Sequence, residues 1–256
     1  MSTSELLREL CPTISVGVLT ADLSNFGSEV SLLEQTDVRL LHFDVMDGCF
    51  TPTMTLGPPL IQSVSSSLLK DVHLMIQDPL EKVDAYVAAG ADIVTVHVES
   101  CTHIHRVLQH LGQLSNANDE SRGLVRGIAL NPGTPLATLE PLMDDVDMIM
   151  LLAINPGWGG QGFIAATFRR IEQVRRRVEE SGRDIVLCVD GGIKRDNVAD
   201  VVRAGAQLVV TGSAVFDEAV EELRRRDRAR ALAADILHVG DRAVDQLVVS
   251  RADGQA

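Results

Sequence analysis

Eight short apolar runs, rich in β-branched residues, recur along this chain, and each is followed by an amphipathic or polar stretch of helical character. The runs cover residues 14–19, 38–44, 71–75, 93–98, 125–130, 148–154, 185–190 and 208–211. The stretches between and after them cover 26–35, 58–68, 80–89, 104–114, 136–143, 165–180, 195–204 and 214–237. Strands apolar on both faces, alternating with helices, predict a parallel sheet covered on each side. Eight such units in roughly 230 residues fit a (β/α)8 TIM barrel better than an open doubly wound sheet. No G-x-G-x-x-G follows the first strand, which removes the usual mark of the open alternative. No linker interrupts the pattern, so one domain is expected over 12–238. The tail, 239–256, reads as a short extra segment or a frayed end, and the polar stretch 115–123 as a surface loop.

Composition narrows the functional classes. The 256 residues carry a formal charge of −13, leaving no basic stripe to neutralise phosphates, so a nucleic-acid partner is not expected. The longest apolar run, 148–154, is too short to span a bilayer, so no membrane partner is expected, and residues 1–9 do not resemble a secretory signal. Four scattered cysteines, Cys11, Cys49, Cys101 and Cys188, read as free thiols in a reducing compartment, hence a cytoplasmic protein. Of only three lysines (Lys70, Lys82, Lys194), none is expected within a strand pointing into the barrel. That disfavours Schiff-base chemistry. The arginine-rich stretch 224–230 reads as a solvated helix face.

Polar side chains sit at the C-terminal ends of the expected strands: His42 and Asp44, His73, His97 and Glu99, Asn131, Asn155, Asp190, Ser213. In a barrel of this kind, that end is where catalytic groups gather. His42 and Asp44 are two apart and so share one face of their strand; His73 stands two after Asp71, and Asp190 two after Cys188. Two imidazoles and two carboxylates converging on the axis make a four-ligand site for Zn²⁺, Fe²⁺, Mn²⁺ or Co²⁺. The competing reading has the histidines as hydrogen-bonded barrel residues and the aspartates as helix caps. Glycine-rich loops follow strands six, seven and eight: Gly157, Trp158, Gly159 and Gly160; Gly191 and Gly192; Gly212 and Ser213. Backbone N–H groups there can converge on a phosphate, or the glycines can simply make tight turns.

Taken in order, L-H-F-D-V-M-D-G-C-F-T-P (41–52), G-P-P (57–59), D-V-H-L-M-I (71–76), G-A-D-I-V-T-V-H-V-E (90–99), N-P-G-T-P-L (131–136), N-P-G-W-G-G-Q-G-F (155–163), V-D-G-G-I (189–193) and G-S-A-V-F (212–216) resemble the ribulose-phosphate 3-epimerase family. The resemblance implies a ribulose-phosphate-binding barrel and an isomerase acting on a small sugar phosphate. In it, His42, Asp44, His73 and Asp190 hold one divalent metal ion, and Asp44 and Asp190 form the acid/base pair that inverts C3 through a cis-enediolate. Met46 and Met75 match methionines that wall the reacting carbons, and Leu152 stands where a third is usual. Gly17 replaces a serine that contacts the sugar, Cys49 a common histidine and Thr53 a common asparagine. D-ribulose 5-phosphate is therefore the first expected substrate. A ketose phosphate of the allulose 6-phosphate or tetrulose phosphate type is the second, because losing a hydroxyl contact changes discrimination. A non-catalytic sugar-phosphate-binding barrel and an enediolate lyase or decarboxylase complete the alternatives. A homo-oligomer is expected of a barrel this size.

Overall fold

The computed structural model describes residues 1–216 and 229–236. Eight parallel strands close into a barrel in chain order, β1 Thr13–Gly17, β2 Leu40–Met46, β3 Leu69–Met75, β4 Ile93–His97, β5 Val125–Leu130, β6 Met148–Leu152, β7 Val186–Asp190 and β8 Leu208–Thr211, with β8 pairing back onto β1. All eight expected strands are present. Their apolar runs are continuous because the two faces of each strand enter different cores. On β6, Ile149 and Leu151 point outward into the layer shared with the helices, whereas Met148, Met150 and Leu152 point into the barrel.

The outer layer contains α2 Phe26–Glu34, α3 Pro58–Ser63, α4 Val83–Ala88, α5 Ile104–Leu111, α6 Ala166–Ser181 and α7 Val198–Ala204. After β5 comes a 3-10 helix, Leu136–Leu142, instead of an α-helix, since Pro141 lies inside it and withholds an N–H. The stretch expected as one helix over 214–237 is described at its ends only, as α8 Ser213–Phe216 and a helical segment over 229–236. The tail after 239 and most of the arginine-rich stretch lie outside the described residues. Among the described residues no helix is long and apolar enough to cross a membrane.

Three details were not visible in the sequence. First, α1, Thr3–Leu10, precedes the barrel, started by a capping box in which Ser2 and Glu5 satisfy each other's backbone N–H. Its Leu7 is fully buried among Leu40, Leu69, Ile93, Val125, Val186 and Leu208, the inward residues at the strand starts, so the helix stoppers the N-terminal end. Second, Lys70 lies within β3, but it faces outward, and its Nζ donates to the Ile61 carbonyl at 2.8 Å. It stays clear of the barrel interior, so the argument against an inward lysine holds. Third, the 115–123 loop is anchored by a wholly buried Asn116, whose Nδ2 donates to Asp92 Oδ1 at 3.0 Å.

Candidate metal centre and active site

The period of two along a strand, combined with the register between strands, builds the site. β2 and β3 pair with Asp44 beside His73 and Met46 beside Met75, and β6 and β7 pair with Leu152 beside Asp190. His42, Asp44, His73 and Asp190 thus meet at the C-terminal mouth, where one ligand atom from each lies within 4.8 Å of the others. His42 Nε2 and His73 Nδ1 stand 3.2 and 3.1 Å from the same oxygen, Asp44 Oδ1, and His73 Nδ1 is 3.6 Å from Asp190 Oδ2. Neither aspartate caps a helix: Gly57 occupies that position for α3 and Asn197 for α7.

The electrostatics drive the two carboxylates apart. Burial disfavours the charge on both. At Asp44 the neighbouring His42 and His73 outweigh it and hold the carboxyl well below its ordinary range. At Asp190, burial and the Asp44 charge together push the value up to about 6. For His42 burial is opposed by Asp71 and then Asp44, which raise it well above an ordinary imidazole, whereas burial pushes His97 down to about 4. Two close carboxylates with two imidazole nitrogens turned toward them form a hard, mixed N/O donor set. Asp71 Oδ1, fully buried, has no hydrogen-bond partner, which leaves an unsatisfied acceptor beside the cluster. The residues present therefore fit a divalent cation, and the cluster can hold one.

A cavity of about 330 Å³ opens beside the cluster. Asp44 and Asp190 line it together with Gly17, Thr20, Gly160, Gly191, Gly192, Gly212 and Ser213. Gly191 and Gly192 take φ of +102° and +67°, and a Cβ on Gly191 would come 2.4 Å from Ile154 Cγ1, so only glycine gives this turn. Asn197 stitches the same loop, its Nδ2 donating to the Gly192 carbonyl at 3.0 Å and its Oδ1 accepting from Lys194 N–H at 2.8 Å. Gly157, Trp158 and Gly159 are not part of the cavity lining. Gly157 packs on Thr51 and Pro52 and accepts from Thr53 Oγ at 2.8 Å, tying the β2–α3 loop to the β6–α6 loop, while Trp158 is 59% exposed. Met75 and Leu152 are buried, and Met46 is half-buried. At Gly17 an added Cβ would meet Gly212 at 3.5 Å, ordinary contact, so crowding does not dictate the glycine.

Ser15 and Phe50 were not singled out from the sequence, and Asp71, His97 and Glu99 were placed on their strands without a role in the centre. Ser15 Oγ donates to Asp71 Oδ2 at 2.9 Å, and the same oxygen lies 2.7 Å from His42 Nδ1. His97 Nε2 sits 2.8 Å from His73 Nε2, with the Phe50 ring 4.8 Å from its own. The signal was available as parity: once His42 and Asp44 point inward, so do the residues two before and two after the neighbours paired with them.

The chain from residue 13 to 216 matches the family model described as the Ribulose-phosphate 3 epimerase family. Ribulose-phosphate 3-epimerase of Bacillus subtilis (strain 168) is 38% identical over 219 residues, covering 82% of this chain and 97% of that protein. The Escherichia coli (strain K12) protein of the same name is 39% identical over 208 residues, 80% of this chain and 89% of its own. Among solved structures, 3-hexulose-6-phosphate synthase from Salmonella typhimurium superimposes with a TM-score of 0.65 at 17% identity, covering 89% of this chain and 99% of that one, a likeness of fold alone. With a closed eight-stranded barrel, a His/Asp cluster at its mouth and identity of this extent, the chain belongs to the ribulose-phosphate 3-epimerase family.

Proposed function

We propose that this protein is an isomerase that inverts C3 of a ketose phosphate, with D-ribulose 5-phosphate and D-xylulose 5-phosphate as the interconverted pair. The observation that carries this reading is the placement of Asp44 and Asp190 on one cavity with their acidities driven in opposite directions. Such a pair gives one carboxylate ready to take a proton and one carboxylic acid ready to return one. Asp44 and Asp190 are the acid/base residues, and their roles exchange when the reaction runs backward. The backbone N–H groups of Gly160, Gly191, Gly192, Gly212 and Ser213 receive the phosphate; Gly157, Trp158 and Gly159 shape the loop behind them. Met46, Met75 and Leu152 form an apolar wall that keeps water from the reacting carbon.

His42, Asp44, His73 and Asp190 would hold one divalent cation, zinc, iron, manganese or cobalt. When bound, it supplies positive charge that stabilises the negative charge developing on the substrate's oxygens. Asp44 and Asp190 are then freed from repelling each other, while both histidines act only as neutral ligands. The free thiols of Cys11, Cys49, Cys101 and Cys188 agree with a cytoplasmic protein. Gly17, which offers the cavity no side-chain hydroxyl although a Cβ there would make only ordinary contact, supports a second reading, in which another ketose phosphate is the preferred substrate of the same chemistry.

The test is a panel of ketose phosphates incubated with protein of known metal content in D2O. Ribulose 5-phosphate is expected to gain solvent deuterium at C3 as xylulose 5-phosphate accumulates. A higher kcat/KM for another ketose phosphate would move the assignment to the second reading. Failure of exchange with every member would instead leave a sugar-phosphate-binding barrel without turnover.

A further inference from the structure

Neither Asp71 nor the His97–Glu99 pair is among the four side chains that face the cation position, yet each ends on one of its two imidazoles. Asp71 is fully buried on β3, and its Oδ2 lies 2.7 Å from His42 Nδ1 while accepting from Ser15 Oγ at 2.9 Å. An ionised carboxylate only accepts, so the proton of this contact belongs to Nδ1, and a neutral ring then carries its lone pair on Nε2.

His73 is held from the other side of its ring. Its Nε2 is 2.8 Å from His97 Nε2, a distance at which one proton lies between the two nitrogens. The remaining nitrogen of His97, Nδ1, faces Glu99 Oε2 at 3.1 Å. Glu99 Oε1 accepts from the Asn131 N–H at 2.9 Å and from the Thr134 hydroxyl, which fixes the carboxylate at the rim of the barrel. His97 therefore donates from Nδ1 to Glu99 and accepts at Nε2, so His73 donates from Nε2 and keeps its lone pair on Nδ1. With both rings neutral, as ligands of a cation must be, the two lone pairs fall on the two nitrogens that stand 3.2 and 3.1 Å from Asp44 Oδ1.

We infer that Asp71, and Glu99 acting through His97, are positioning residues that lock His42 and His73 in opposite tautomers so that both imidazoles present a lone pair to one cation. This rests on reading the cluster as a divalent-cation centre. It adds that two carboxylates outside the ligand set decide which ring nitrogens serve. A neutral histidine ligand needs its other N–H engaged to hold ring orientation and basicity. Here one ring is engaged through a direct carboxylate and the other through a second imidazole.

The experiment uses the full chain, ¹⁵N-labelled at histidine and loaded with zinc(II) alone, with long-range ¹H–¹⁵N spectra assigning the protonated ring nitrogen. His42 and His97 should be protonated on Nδ1 and His73 on Nε2; His42 and His73 in the same tautomer would overturn the inference. In parallel, zinc affinity is measured by chelator competition. Asp71→Ala should bind zinc about 10–100-fold more weakly, and Asp71→Asn, which retains an acceptor of the same shape, should recover much of that loss. His97→Phe should likewise weaken zinc, with thermal melts confirming that each variant folds. Asp71→Ala binding as tightly as the parent, in a folded protein, would contradict the inference. Locked tautomers in a protein that exchanges no ketose phosphate would sink the proposed activity and leave this inference standing. A parent protein that takes up no divalent ion would end both.

Discussion

Asp190→Asn is expected to lower kcat/KM for ribulose 5-phosphate by about 10²–10⁴-fold, the usual range for removing a general acid or base. The substitution keeps the shape of the side chain at the end of β7, where Asp190 pairs in register with Leu152, so the barrel should melt as cooperatively as the parent. What it removes is a carboxyl whose pKa, raised to about 6 by burial and the Asp44 charge, lets it take up and release a proton near neutrality. An amide can still offer an oxygen to a cation, so metal content must be measured beside the rate. A folded, metal-loaded Asp190→Asn protein with parental activity would take Asp190 out of the acid/base pair. The prediction is stronger for this residue than for Asp44, whose oxygen also sits between both histidines and whose loss would disturb the whole cluster.

The second large effect concerns stability of the metal-stripped protein against pH. Asp190 has a folded-state pKa of about 6, above its ordinary 3.8, because of burial and the Asp44 charge. A carboxyl raised on folding binds more protons in the native state than in the unfolded one. Its stabilising contribution is complete below pH ~4 and is lost as pH rises through about 6. At ~1.4 kcal/mol per unit, the metal-stripped parent should lose about 3 kcal/mol relative to metal-stripped Asp190→Asn between pH 4 and pH 7. The side chain is only 14% exposed, so solvent screening removes little of this. For a chain this long, that difference is a fall in Tm of about 2–4 °C for each kcal/mol. Divalent cation added at pH 7 should raise the parent's Tm again, since ligand binding to the native state alone stabilises it. Parallel pH profiles for parent and Asp190→Asn would show that the two carboxylates do not repel each other.

How much of this was legible in the sequence depends on the kind of interaction. The strands were, because each is buried on both faces and therefore reads as a continuous apolar run. The four clustered side chains were legible too, since a period of two places His42 with Asp44 on one face, and adjacent parallel strands bring His73 beside them. Helix α1 was not: its amphipathic pattern is short and charged, and only the Ser2–Glu5 capping box marks it. Pro141, by contrast, already carried the reason for a 3-10 segment after β5. Glycine signalled a turn in every mouth loop without separating turns that line the cavity, at Gly191 and Gly192, from one that packs on a neighbouring loop, at Gly157. Ser15 and Asp71 stand 56 residues apart, on the two strands flanking β2, and meet only because both face the barrel interior, so their bond to each other was invisible before the register was known.

The chemistry of this barrel requires a divalent ion among His42, Asp44, His73 and Asp190. Crystals grown with manganese or zinc, and phased by the metal's anomalous scattering, should show one strong peak at the barrel mouth. It should lie about 2.0–2.2 Å from His42 Nε2, His73 Nδ1 and an oxygen each of Asp44 and Asp190. A peak elsewhere on the protein, or these four side chains well ordered with no peak among them at saturating metal, would contradict it.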